Sequence, residues 1–314
     1  MLMPINTQDW CGLQWTEWVP LQSAAIRRAV THRGPGVYRI RQQGGNSNCL
    51  TYIGQTDRDL RGRLQALARC VNGQECPYND PHTAAPHLWL LRTLDNVQFE
   101  CSGAPVVTPR SGHPNSAKQI LRGTEDMLLW RHRINVNQST VANYGRFYPG
   151  YGRPSNRQDG RIAAPLKTGA PQINFKTTHL PALNGQAGML RADFWERCPL
   201  ATVTPPVGLM ENEDEAALGA LPETPAVYCV HDKRLMQVYY IGETLNLRSR
   251  ARAHAAKRWP LPEPWLSYWT MPPGTPKHVL RELESDLCGW HFSENGWAPV
   301  IQYLPLLHSS LDPR

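Results

Sequence analysis

The chain has 314 residues, of which 41% are hydrophobic, and a formal net charge of +7. This length favours two domains of roughly 100–150 residues each, and the charge suits either an anionic partner, with nucleic acid first, or a basic surface without a partner. No apolar run approaches the roughly 18–20 residues of a membrane span, so we expect no membrane partner. The N-terminus lacks a signal-peptide pattern, and the eight cysteines fit reduced thiols better than disulfides. We therefore expect a cytoplasmic protein.

The first 150 residues carry the signals of three helices and three strands. Apolar residues at helical spacing predict helices, and alternating or β-rich runs predict strands. The predicted helices are 21–33, 60–68 and 117–133, and the predicted strands are 36–41, 49–53 and 97–101. Leu60, Leu64 and Leu67 form a core-facing stripe on the second helix.

An insertion over 70–86 and the residue that follows it supply four residues of metal-binding type, which are Cys70, Cys76, His82 and His87. Two thiolates and two imidazoles are a possible structural zinc set. Their spacing is not that of a standard zinc finger, and the alternative is reduced cysteines with surface histidines.

The composition changes after the first 150 residues. Gly, Pro, Asn and Arg replace apolar periodicity, and residues 151–200 carry seven Lys or Arg against three acids, a net of +4. Such a segment can follow a phosphate backbone and stack on bases, or it can be an ordered linker between domains. We expect an extended basic linker over 151–220.

Residues 221–314 begin with two β-rich runs, 226–228 and 238–244, on either side of a polar turn. They predict a hairpin, and the run 247–254 that follows predicts a helix. A proline- and tryptophan-rich stretch precedes a predicted helix over 277–291, and 300–303 suits a last strand.

The two parts share one pattern. Gly36-Val37-Tyr38 is followed by Tyr52-Ile53-Gly54, and Ala226-Val227-Tyr228 is followed by Tyr240-Ile241-Gly242. In both places the sequence resembles the GIY-YIG nuclease family, whose first tripeptide usually begins with Gly. Two copies in one chain are therefore expected.

The resemblance implies five functional positions in each copy: two Tyr, one Arg, one Glu and one Asn. In the first copy these map to Tyr38, Tyr52, Arg63, Glu125 and Asn143. In the second copy they map to Tyr228, Tyr240, Arg250, Glu284 and Gln302. Gln302 departs from the family's Asn. His254 lies four residues after Arg250 on the same helical face, where the first copy has Leu67.

Taken singly, each of these residues is more typical of packing or of a solvated surface than of catalysis. Their order and intervals carry the interpretation. The Tyr–Tyr intervals are 14 and 12, the Tyr–Arg intervals 11 and 10, the Arg–Glu intervals 62 and 34, and the Glu–Asn/Gln interval is 18 in both copies.

The resemblance implies an α/β (α+β) fold with two small domains, each a short, mainly antiparallel three-stranded sheet flanked by helices. We expect the first domain at 1–150, the Gly/Pro-rich linker at 151–220 and the second domain at 221–314.

The implied activity is metal-dependent hydrolysis of DNA phosphodiester bonds. One Mg²⁺ (or Mn²⁺) per site is expected on Glu125 or Glu284, since Mg²⁺ keeps most of its waters and needs few carboxylates. The first Tyr of each copy is expected to orient or deprotonate the water, with help from a neighbouring cation or His254. The Arg is expected to hold the phosphate, the second Tyr to bind phosphate or water, and the Asn or Gln to brace the site.

The leading hypothesis is a tandem endonuclease that cuts both strands of double-stranded DNA, in restriction, anti-phage defence or mobile-element biology. It would act as a monomer with an internal pseudo-dimer or as a homo-oligomer. The alternatives are one active and one degenerate domain, a non-catalytic DNA-binding protein, and an RNA or single-strand nuclease. If only one copy cuts, the first is expected, because all five of its positions match.

Overall fold

The computed structural model divides the chain into two compact units, Met1–Ala182 and Leu183–Arg314, called the first and second unit below. The residues that it describes are 4–45, 49–77, 84–107, 115–144, 195–199, 218–234, 237–257, 259–261 and 263–304. Most of the predicted linker over 151–220 lies outside these residues, and the boundaries of that linker stay a prediction.

The first unit alternates short strands and helices. Its elements are β1 (Val19–Pro20), α1 (Ser23–Ala29), β2 (Gly36–Gln42), β3 (Tyr52–Thr56), α2 (Leu60–Val71), α3 (Ala85–Leu94), β4 (Phe99–Pro105) and α4 (Ala117–Val136). The sheet has the order β1-β4-β2-β3, and every neighbouring pair is antiparallel.

Local signals set the ends of the two helices that matter most in the first unit. Asp59 caps α2 by accepting a hydrogen bond from the Gly62 N–H. Ser116 and Gln119 form a capping box at the start of α4. Asn137, with a left-handed φ of 53°, ends α4.

The predicted strand over 49–53 begins three residues later than expected, at Tyr52. The Leu50 N–H donates to His132 Nε2 of α4 at 2.9 Å. That hydrogen bond ties the start of the predicted strand to a helix, so regular pairing begins only after it.

The core of the first unit lies between the sheet and the helices α1, α2 and α3. Tyr38, Ile40 and the stripe of Leu60, Leu64 and Leu67 belong to it. Arg39 points to the opposite face of the sheet because side chains alternate along a strand. There three tryptophan rings lie 4.2–5.6 Å from its guanidinium carbon, which are Trp10, Trp15 and Trp18.

The second unit repeats this arrangement. Its elements are β5 (Glu196–Pro199), β6 (Ala226–Asp232), β7 (Val238–Thr244), α5 (Leu247–Ala255), β8 (Pro264–Thr270) and α6 (Lys277–Asn295). The antiparallel sheet has the order β5-β8-β6-β7. Asn246 caps α5 by accepting from the Ser249 N–H, as Asp59 caps α2.

The α+β fold class is therefore confirmed, with two small antiparallel sheets flanked by helices. The sheet of each unit contains three strands, β4-β2-β3 or β8-β6-β7, and a short fourth strand on its edge, β1 or β5. The strand suggested over 300–303 is wrong, because these residues form a turn. Among the described helices, none combines the length and apolar character needed to cross a membrane.

Candidate functional site

In the first unit, the two tyrosines of the repeated pattern meet over one glycine. Tyr38 on β2 pairs with Gly54 on β3, and Tyr52 lies two residues before Gly54 on the same face. The two ring centroids are 5.9 Å apart. A Cβ at Gly54 would lie 2.6 Å from Tyr38 Cζ and 2.7 Å from Tyr52 Cε1, so only glycine leaves room for both rings.

The second unit builds the same group of side chains. Tyr228 on β6 pairs with Gly242 on β7, and the ring centroids of Tyr228 and Tyr240 are 6.2 Å apart. A Cβ at Gly242 would lie 2.6 Å from the Tyr228 hydroxyl and 2.7 Å from Tyr240 Cε1. The chain therefore contains two copies of one tyrosine–tyrosine–glycine arrangement in the same register.

A cavity of about 500 Å³ in the first unit brings three of the predicted residues together, which are Tyr52, Arg63 and Glu125. Glu125 is 14% exposed, and its carboxylate lies 3.6 Å from Arg122 Nη1. The charged side chains that line the cavity are Arg58, Arg63, Lys118, Arg122, Asp57, Asp59 and Glu125. Cations outnumber carboxylates there by four to three, which suits an anionic ligand.

Tyr38 is buried and is not one of the residues that line this cavity. Burial raises the pKa of Tyr38 above 10, Arg63 opposes that rise through its charge and a hydrogen bond, and Glu125 adds to it. A hydrogen bond from Tyr52 also favours the ionised form of Tyr38. Burial, followed by Tyr38 and Glu125, raises the pKa of Tyr52 well above 10. Both phenols therefore carry their protons at neutral pH.

In the second unit, Arg250 on α5 and Glu284 on α6 act on the two tyrosines. Burial and then Tyr240 raise the pKa of Tyr228 well above 10, while Arg250 opposes the shift and Glu284 adds to it. Burial and then Glu284 raise the pKa of Tyr240 to about 12. All four side chains are close enough to influence one another.

His254 contacts the first tyrosine of its unit directly. Its Nε2 lies 2.8 Å from the Tyr228 hydroxyl, and its ring packs against Tyr240 and Trp259. Burial, with smaller effects from Lys257 and Arg250, lowers the pKa of His254 to about 3. His254 is therefore neutral at physiological pH, and it orients Tyr228 through a hydrogen bond rather than through a positive charge.

Asn143 and Gln302 make the same two hydrogen bonds. Asn143 Oδ1 accepts from the Ile53 N–H at 3.0 Å, and its Nδ2 donates to the Ile53 carbonyl at 2.8 Å. Gln302 Oε1 accepts from the Ile241 N–H at 2.9 Å, and its Nε2 donates to the Ile241 carbonyl at 3.0 Å. The side-chain amide thus braces the central Ile of each Tyr-Ile-Gly, and Gln in place of Asn preserves this contact.

The departure at Ala226 also leaves the local structure intact. Ala226 pairs with Thr244 as Gly36 pairs with Thr56, and Ala226 is fully buried. In the first unit a Cβ at Gly36 would lie 2.6 Å from the Ala104 carbonyl oxygen. Glycine is therefore needed in the first copy, whereas the second copy accommodates a methyl group.

Two further basic positions recur in both units, although neither is among the predicted site residues. Lys118 and Arg122 precede Glu125 by seven and three residues, and a Lys and an Arg precede Glu284 by the same intervals, at 277 and 281. Positions i, i+4 and i+7 share one helical face. Aligning α4 with α6 on their glutamates would have revealed this repeated Lys-x3-Arg-x2-Glu.

The residues fit a divalent ion held by one carboxylate and water. Within the described residues, no three or more His, Cys, Asp or Glu side chains are grouped to hold a metal. Glu125 lines an open cavity, which leaves space for the waters that Mg²⁺ retains. Of the possible zinc set, Cys70, Cys76 and His87 do not form such a group, and His82 lies outside the described residues.

No family model, no curated protein and no solved structure matches the chain.

Proposed function

We propose that the protein is a metal-dependent nuclease that hydrolyses phosphodiester bonds of double-stranded DNA. The observation that supports this most strongly is the recurrence of one side-chain arrangement in two units of the same chain. Two separate stretches of sequence place two tyrosines over a glycine, brace the adjacent Ile with an amide, and set an Arg and a Glu beside the rings. Packing alone does not require this set of polar residues twice.

In the first unit, Arg63 binds the phosphate at the scissile bond. A guanidinium forms two parallel hydrogen bonds to a phosphate and keeps its charge at any physiological pH. Arg63 also reaches Tyr38, so it can join the phosphate to the tyrosine pair. The other cations of the cavity, Arg58, Lys118 and Arg122, attract the nucleic-acid backbone.

Tyr38 and Tyr52 position the attacking water. Tyr38 is protonated in the resting protein, and this mechanism requires a cavity water beside Tyr52, which lines the cavity, to contact the Tyr38 hydroxyl. The hydrogen bonds from Arg63 and Tyr52 favour the Tyr38 phenolate, so they reduce the cost of passing its proton on. In the second unit His254 forms a hydrogen bond with Tyr228, and Arg250 acts on Tyr228 through its charge, whereas Arg63 acts on Tyr38 through both its charge and a hydrogen bond.

Glu125 and Glu284 are the proposed ligands of a hydrated Mg²⁺ or Mn²⁺. When bound, such an ion offsets the negative charge that develops on the phosphate and on the leaving oxygen. Each Glu is partly buried and lies near the middle of a long helix. Its position is therefore fixed by α4 or α6 rather than by a loop.

The first unit is the preferred site of cleavage. Arg63 and Tyr52 both counter the rise in the pKa of Tyr38, and the cavity contains the Arg, the Glu and an excess of basic side chains. A role for both units, one on each DNA strand, is the fuller form of the proposal, and restriction, anti-phage defence or mobile-element movement would be the setting.

A DNA-binding protein without turnover is the second candidate. The observation that favours it is the raised pKa of all four tyrosines, since a protonated phenol is not a base. Binding requires only the cations and not an ionised tyrosine.

A plasmid assay separates the two candidates. We expect the protein to cut supercoiled DNA with Mg²⁺ and to bind it without cutting in the presence of a chelator. Retained binding without cleavage under any divalent ion would favour the second candidate. Faster cleavage of RNA or single-stranded DNA than of duplex in the same assay would contradict duplex DNA as the substrate.

A further inference from the structure

The residue that follows each Tyr-Ile-Gly differs in charge between the two units. It is Gln55 in the first unit and Glu243 in the second. Both follow the glycine on the edge strand, β3 or β7, so their side chains leave the sheet on the face opposite the tyrosines. That face lies towards α4 in the first unit and α6 in the second, where the repeated Lys and Arg are found.

In the second unit, Glu243 binds both repeated cations. Its Oε2 lies 2.5 Å from Lys277 Nζ, and its Oε1 lies 3.9 Å from Arg281 Nε. The Glu243 side chain is only 9% exposed, whereas Lys277 is 32% exposed. A half-buried lysine and arginine therefore hold a nearly buried carboxylate between them.

In the first unit, Gln55 takes the position of Glu243 in the sheet. Gln55, Lys118 and Arg122 line the cavity that also contains Arg63 and Glu125. Among the described residues, no carboxylate forms an ion pair with Lys118, and the Gln55 Oε1 is buried without a hydrogen-bond partner. Arg122 lies 3.6 Å from Glu125, whereas Lys118 is exposed at the cavity, so an anion from outside the protein can take the place that Glu243 fills in the second unit.

We propose that Lys118 and Arg122 form a subsite for a backbone phosphate beside the scissile one, and that Glu243 fills the equivalent subsite of the second unit with a carboxylate of the chain itself. This inference rests on the proposed function, because the external anion is taken to be a phosphate of the same nucleic acid. The second unit then binds DNA weakly until Glu243 is displaced, and the two units are unequal in affinity although their tyrosine geometry is the same.

Lysine labelling tests the subsite without requiring cleavage. The full chain is acetylated with and without a short DNA duplex in the presence of a chelator, and the rates at Lys118, Lys277 and the exposed Lys233 are read by mass spectrometry. In the wild type we expect duplex to protect Lys118 and to leave Lys277 and Lys233 unchanged. In Glu243→Gln, which copies Gln55, Lys277 should react faster and become protected by duplex.

Salt titration of duplex affinity gives a second readout. Each phosphate contact adds about 0.9 to the slope of log affinity against log salt. Glu243→Gln frees Lys277 and Arg281, so the slope should steepen by about one to two. The reciprocal Gln55→Glu should make it shallower by a similar amount and should remove the protection of Lys118.

The outcomes distinguish this inference from the proposed function. Equal protection of Lys118 and Lys277 in the wild type would overturn the inference alone, and so would an unprotected Lys277 in a folded Glu243→Gln protein whose Lys118 is protected. If duplex protects neither lysine in any variant, both the inference and the proposed function fail. Circular dichroism of each variant establishes that it is folded.

Discussion

Gly242 offers a direct test of the tyrosine arrangement, because no other residue leaves room for the two rings. In Gly242→Ala the new methyl group would lie 2.6 Å from the Tyr228 hydroxyl and 2.7 Å from Tyr240 Cε1. Tyr228 is only 1% exposed, so its ring cannot turn into solvent to relieve the contact. Overpacking of this kind typically costs about 1–3 kcal/mol of unfolding free energy.

The assay is urea denaturation followed by circular dichroism, with Gly219→Ala as the matched control in the same unit. A Cβ at Gly219 meets nothing within 4 Å, so the control should remain within roughly 0.5 kcal/mol of the wild type. Gly54→Ala should repeat the loss in the first unit. A Gly242→Ala protein as stable as its Gly219→Ala control would refute the close packing of Tyr228 over Gly242.

Three further predictions follow from single contacts. Gln302→Ala leaves the Ile241 N–H and carbonyl without their partner, so unfolding free energy should fall by about 1–3 kcal/mol; an unchanged denaturation midpoint would contradict the brace. Burial lowers the pKa of His254 to about 3 from 6.5, so the unfolded chain binds a proton that the folded chain does not, and stability is lost as pH falls from 6.5 towards 3. His254→Leu should flatten that dependence by up to about 1.4 kcal/mol per pH unit, and an equally steep curve would show that His254 is not buried as a neutral group. Arg63→Ala should reduce plasmid cleavage by roughly 100-fold, whereas Arg69→Ala, at an exposed position of the same helix, should not; equal activity of the two variants would exclude Arg63 from the site.

The sequence was most informative where residue type and order both limit the structure. Tyr38 and Tyr228 were placed on hairpins by their β-rich neighbours and by the turn between the strands, and both hairpins form. Glu125 and Glu284 fall in the predicted helices over 117–133 and 277–291, and both lie on long helices. Local patterns of this kind are independent of distant contacts, so sequence alone predicted them.

The missed elements depend on contacts between distant parts of the chain. Strand β8 begins at Pro264 after a proline-rich stretch that reads as loop, and it forms because its residues pair along the whole length of β6. Turn 300–303 was suggested as a strand because Val300 and Ile301 are β-branched. Their N–H groups do reach the carbonyls of Val238 and Tyr239, but the chain turns there instead of extending.

The candidate site also contains residues whose roles depend on contacts between distant parts of the chain. Gln302 reads as a departure when single letters are compared, yet a longer side chain from a differently placed turn reaches the same Ile backbone as Asn143. The role of Glu243 depends on its distance to α6 across the sheet. No local pattern in the sequence reports such a distance.

The most direct test of the nuclease proposal is cleavage of supercoiled plasmid in Mg²⁺ by Glu125→Ala and by a matched control, Glu294→Ala. Glu125 lines the cavity of the first unit, whereas Glu294 is exposed near the end of α6. We predict that the wild type and Glu294→Ala cut the plasmid, and that Glu125→Ala loses at least roughly 100-fold in rate. Cleavage by Glu125→Ala at the wild-type rate, or no cleavage by the wild type, would contradict a metal-dependent nuclease site in the first unit.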